Sequence, residues 1–97
     1  MAVGDVVTGL SCFANAAYME LAPSSGDEWV IHNIHHAGAC SIEFYQSGIG
    51  SLVFESASVA GAYSYYAFHC TADKYYRVCN LAGASSFLAY DGIKTKE

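Results

Sequence analysis

The side chains best suited to chemistry are four histidines, His32, His35, His36 and His69, and four cysteines, Cys12, Cys40, Cys70 and Cys79. Imidazole and thiolate are common zinc ligands. A zinc site needs three or four of them, each about 2.0–2.3 Å from one point. Three of the histidines fall in one extended stretch, Glu28–His36. On a strand, His35 and His36 point to opposite faces. His32 and His36 share a face but stand roughly 13 Å apart at about 3.3 Å per residue. At most one or two of them can meet His69, and no HxH pair with a carboxylate just beyond is present. The cysteines follow no zinc-finger spacing and no CxxC pattern. Each lies in or beside an apolar run, which reads as buried free thiols acting as small hydrophobes. A Cys70–Cys79 disulfide is the alternative, should the strands that carry them pair. Neither a metal nor a cofactor is expected.

Nucleophilic catalysis lacks its signatures as well. There is no GxSxG elbow, and no cysteine stands in a papain-like or caspase-like setting. Glycoside hydrolysis needs two carboxyl groups facing each other across a cleft. Glu43 and Glu55 can lie on neighbouring strands, but a 97-residue domain leaves little room for a cleft, and both read as solvent-face charges. The expectation is a protein that is not an enzyme. The tyrosines say more. Tyr63, Tyr65, Tyr66, Tyr75 and Tyr76 fall on two stretches that read as paired strands. An aromatic strip there can stiffen the sheet through cross-strand pairs, form a protein interface, or serve as a sugar platform. Tyr63, Tyr65 and Tyr75 are the candidates for an interface.

The elements that carry these residues are short. Ala2–Cys12 is a weakly patterned strand with Val3, Val6, Val7 and Leu10 as its apolar residues. It reads as an edge strand or as an arm reaching a neighbour, and those four residues are the candidates for that contact. Ala16–Leu21 alternates like a half-buried strand, with a short helix as competitor, until Pro23 and SSGD end it. Glu28–His36 is the strongest strand. It places Trp29, Ile31, Asn33 and His35 on one face and Val30, His32, Ile34 and His36 on the other. Cys40–Gln46 and Ser51–Glu55 follow across Ser47-Gly48, with Ile42 and Phe44 inward, so the three runs read as a meander of two hairpins. After the small-residue loop Ser56–Ala62 come Tyr63–Thr71, a turn at Ala72-Asp73, Lys74–Asn80, and a last short strand Phe87–Tyr90 closed by Asp91-Gly92. The tail beyond Ile93 is polar.

About eight short strands with turn signals between them are the pattern of an all-β antiparallel sandwich, jelly-roll-like. One domain is all the length allows. Residues 1–12 read as an N-terminal arm or edge strand, and 13–97 as a single β-sandwich domain. Charged residues are only 13%, against about 25% in ordinary domains. So mild a surface points to a partner chain covering part of it. The net charge of −5 argues against nucleic acid, which is bound through neutralising Lys and Arg, and equally against an anionic membrane surface. No apolar run is long enough to span a bilayer as a helix. The N-terminal segment does not read as a signal peptide, so synthesis in a reducing cytosol is expected.

Three pieces in order, EWVIHNIHH with a short hairpin after it, FHCT–KYYRVCN, and FLAYDGIKTK, span Glu28 to Lys96. In that order they resemble small tailed-bacteriophage capsid decoration (cement) proteins. The resemblance implies a virion structural protein of β-sandwich type, made in the host bacterial cytoplasm. It implies binding to the major capsid protein on the outer surface of the head, commonly as a homotrimer, to stabilise the shell. A tail- or fibre-associated virion protein and a small carbohydrate-binding module are the alternatives.

Overall fold

The computed structural model describes residues 3–64 and 66–96. Nine strands and no helix are found among them: β1 Val6–Phe13, β2 Tyr18–Glu20, β3 Glu28–His36, β4 Cys40–Gln46, β5 Gly50–Ala57, β6 Gly61–Tyr63, β7 Phe68–Thr71, β8 Lys74–Asn80 and β9 Ser86–Lys96. They form two antiparallel sheets. Sheet A runs β1-β9-β3, with β6 and β7 both on the far side of β3; sheet B runs β2-β8-β4-β5. β6 pairs with Ile34–His36 and β7 with Glu28–Ile31, so together they act as one interrupted strand. Counted that way, the order is that of two four-stranded sheets in a jelly roll. The chain is the all-β sandwich expected from its sequence.

The core lies between the sheets. Leu21, Ile31, Ile34, Ile42, Val78 and Leu88 are fully buried in it. Period-2 alternation supplies most of them, but β3 breaks its own period. Ile31 pairs with Gly92 and Asn33 with Asp91, which leaves His32 as an extra residue, a β-bulge. The bulge turns both Ile31 and Ile34 inward, although strict alternation puts them on opposite faces. Gly92 makes the bulge possible. A Cβ there would run into the Val30 carbonyl oxygen and lie 2.6 Å from Ile31 Cα. Asp91-Gly92 is therefore strand interior and not a closing turn, and β9 is the longest strand, at 11 residues.

Two other readings are corrected. β3 belongs to sheet A and β4 to sheet B, so only β4–β5 is a hairpin and there is no meander. Likewise β7 and β8 lie on different sheets; the chain crosses the sandwich at Ala72-Asp73, and the tyrosine-bearing stretches face each other and do not pair. β1 extends through Phe13 along β9 and forms one edge of sheet A, so residues 6–12 take the edge-strand alternative and not that of a free arm. One buried polar residue organises the far end of the molecule. Asn80 Nδ2 donates to the carbonyls of Phe13 and Ala84 at 2.9 Å each, and Asn80 Oδ1 accepts from the Ala82 amide at 3.0 Å.

Candidate functional site

A strand at the edge of a sheet presents a row of unpaired N–H and C=O groups, and proteins usually protect it. This sandwich has four edges and treats them unequally. β2 is three residues long. The far side of β3 is split into β6 and β7, of three and four residues. Short, broken edges of this kind offer little to a foreign strand. β1 and β5, by contrast, are each eight residues long and contain no Lys, Arg or Pro.

Both long edges are apolar. On β1, Val6 and Leu10 are exposed, and β9 adds Phe87 and Ile93 beside them. On β5, Leu52 is 77% exposed and Val53 is nearly as open, with Ile49 at the turn before them. The β4–β5 hairpin holds a shallow apolar groove of about 330 Å³, lined by Phe44, Gln46, Ile49, Gly50, Ser51 and Leu52. Phe54 is different. Val53 pairs with Glu43 and Glu55 with Ile42, so Phe54 is an unpaired bulge residue. Its ring packs edge-on against Tyr66, Phe68 and Tyr76 with centroids 5.9, 5.7 and 6.2 Å away. That cluster ties β5 to β7 along one flank. On the opposite flank the Asn80–Phe13 bond ties β1 to β8, the neighbour of β2. The two long edges therefore lie on opposite flanks of the molecule.

The outer face of sheet B is polar and already satisfied. Arg77 donates from Nε and Nη2 to Glu43 Oε1 at 3.1 and 3.0 Å. Its guanidinium lies over the rings of Tyr18 and Tyr45, 4.1 and 4.6 Å from their centroids, and Tyr18 donates to Glu43 Oε2 at 3.1 Å. Glu43 is thus a buried, paired carboxylate and not the solvent-face charge expected. Tyr75 donates to Glu20 Oε2 at 3.0 Å. Burial, reinforced by that carboxylate, pushes the Tyr75 hydroxyl up to about 12.

The candidate interface residues divide. Val3, Val6 and Leu10 are exposed. Val7 is 3% exposed and part of the core, because it falls on the inward phase of β1, so it is not available to a partner. Tyr75 is buried against Glu20 and is likewise corrected. Tyr63 is half-buried, its ring 5.6 Å from that of His36. Tyr65 lies outside the described residues. The histidines are spread out. His36 is buried and donates from Nδ1 to the Gly38 carbonyl at 3.0 Å. His35 is exposed beside Asp91 at 3.5 Å, and His32 Nδ1 lies 3.1 Å from the Tyr66 carbonyl. Among the described residues no three of His, Cys, Asp and Glu converge as a metal site would require. The β5 edge was missed at the level of sequence. Its signal was present: Leu52-Val53-Phe54 is a run of three apolar residues where a half-buried strand needs alternation.

No protein-family model matches the chain, and no curated protein matches it. A solved chain from Bacillus endospore appendages, described as a family of disulfide-linked pili, superposes with a TM-score of 0.49 at 18% identity. The match covers 99% of this chain and 94% of that one. A likeness that distant carries no functional inference.

Proposed function

We propose that this chain is a structural subunit, not an enzyme, that covers part of a larger particle. Within that class we assign it to the decoration (cement) proteins of a tailed-bacteriophage head. It would bind the major capsid protein from outside as a homotrimer, in a virion assembled in the bacterial cytoplasm. The observation that carries the reading is the pair of long, apolar edges without Lys, Arg or Pro on opposite flanks, β1 with Val6 and Leu10 and β5 with Leu52 and Val53. Surface of that kind marks an interaction site and is an aggregation hazard while it stays uncovered. The low charge of the sequence fits dense packing of copies. The choice of particle comes from the sequence resemblance and not from the fold, since jelly rolls serve unrelated roles. The carbohydrate alternative has less support, because in the tyrosine strip that would be its platform Tyr75 is buried, Tyr63 is half-buried, and the Tyr66 ring is stacked on Phe68.

The test is co-sedimentation of the purified protein with undecorated heads of the phage that encodes it. Saturable binding to heads is the expected outcome. Binding to isolated tails alone would transfer the chain to the tail, and binding to neither would overturn the reading.

A further inference from the structure

We infer that copies of this chain join head to tail, the β5 edge of one pairing strand to strand with the β1 edge of the next. This rests on the reading of the chain as a structural subunit, and it names the first partner as a second copy. Four observations carry it. First, the molecule protects two of its edges by keeping β2, β6 and β7 short, and leaves two open. Second, the open edges match: each is eight residues long, β1 has no charged residue, and β5 has only Glu55, so pairing them opposes no like charges. Third, they lie on opposite flanks, which places the donor edge of one copy where the acceptor edge of the next must be. Fourth, a symmetric β5–β5 pair would set the two Phe54 bulges into one short ladder. β1 keeps an unbroken register along all eight of its residues and can follow a bulged neighbour. A symmetric β1–β1 pair would leave the more apolar β5 edge in water.

Eight residues at about 3.4 Å each make an edge about 27 Å long. With the side chains on both faces, one pairing covers on the order of 500 Å² per copy, below the roughly 800 Å² of a stable interface. A copy using both edges hides about 1,000 Å² of its 5184 Å² surface. A single pairing is thus weak. An assembly in which copies pair at both edges is what holds. Head-to-tail contacts close into rings when the rotation per step divides a full turn, three copies at a third of a turn each being the proposed trimer, and run on as open filaments when it does not. Pairing also makes sheet B of one copy continuous with sheet A of the next, and joins the Leu52–Val53 surface to the Val6–Leu10 surface.

Two edge-blocked variants test this. Val6→Lys with Leu10→Lys blocks β1, and Leu52→Lys with Val53→Lys blocks β5; all four side chains are exposed, and circular dichroism checks that both variants fold. Mass is read by light scattering over a concentration series. The wild type is expected to exceed the 10.3 kDa chain mass as concentration rises. Each variant alone is expected to stay at one chain mass at every concentration, and an equimolar mixture to rise towards two only at the highest concentrations and never beyond, because one intact β5 and one intact β1 make a single weak pairing. Three results would overturn the inference: a wild type that stays monomeric, either blocked variant associating by itself, or a mixture that grows beyond two chain masses. Head binding by a monomeric wild type would leave the proposed function standing while removing this interface, so the two failures are told apart.

Discussion

At the level of single residues, the chemistry of the chain is mostly spent on structure. Cys40, Cys70 and Cys79 are buried, and Cys12 is exposed on β1. Burial pushes the Cys40 and Cys70 thiols up to about 11. The thiolate is the reactive form, so these two are inert near neutral pH. A native thiol titration at pH 7.5 is expected to count one fast-reacting sulfhydryl, with the other three appearing only in denaturant. More than one fast thiol would mean that the core is open. Sequence reading took all four as buried, and three are. Cys12 escaped because its run, Gly-Leu-Ser-Cys-Phe, is apolar without saying which phase of β1 faces inward. Glu43 was misread for the converse reason. A carboxylate flanked by Ile42 and Phe44 looks solvated until the cross-strand arginine is known, and the register Glu43–Arg77 is not written in either segment alone.

Strand existence was legible at the scale of elements, but partners were not. Glu28–His36, Cys40–Gln46 and Lys74–Asn80 have the bounds that β-branched and aromatic runs between Gly, Ser and Asp breaks suggest. What local pattern cannot tell is whether a short connection is a hairpin within one sheet or a crossing between two. Ala37-Gly38 and Ala72-Asp73 look like turns of the first kind and serve as the second. Bulges are similarly hidden, because they are defined by the partner strand. The β3 bulge yields a sharp prediction. Gly92→Ala forces a methyl into the Val30–Ile31 backbone, and overpacking of that sort costs about 3 kcal/mol. By the usual scaling for domains of this size that is a drop of roughly 12–24 °C in Tm, read by thermal denaturation. An unchanged Tm would mean that β3 and β9 can separate without penalty. Of the candidate site, the β1 half was legible from Val6 and Leu10. The β5 half was not, because Ser51–Glu55 was read as an ordinary alternating strand.

For the molecule as a whole, the raised ionisations fix how stability responds to base. A buried thiol or phenol is neutral when protonated, and the fold penalises its charged form. The unfolded chain ionises at the ordinary values, 9.0 for Cys and 10.0 for Tyr. Folded-state values of about 11 for Cys40 and Cys70 and about 12 for Tyr75 therefore give a contribution complete below pH 9. It is lost as pH rises from 9 through 11 for the thiols, and from 10 through 12 for the phenol. Tm is expected to fall over pH 9 to 11, and Cys70→Ala to make that fall shallower. A flat profile across that interval would show that these groups are not desolvated.

The strand order also dictates a timetable. β9 stands between β1 and β3, so the central member of sheet A leaves the ribosome after every other strand described. Until then β1 has no neighbour, β3 has only β6 and β7, and the pairing of Val6 with Ile93 must close a loop of nearly the whole chain. Contacts so distant along the sequence make folding slow, on the order of milliseconds to seconds. During that interval sheet B can form its β4–β5 hairpin with Ile42, fully buried in the finished core, not yet covered by the other sheet. The nascent chain is therefore at its stickiest while still incomplete. A cell making many copies at once must either space their synthesis or shield that hairpin until the last strand arrives.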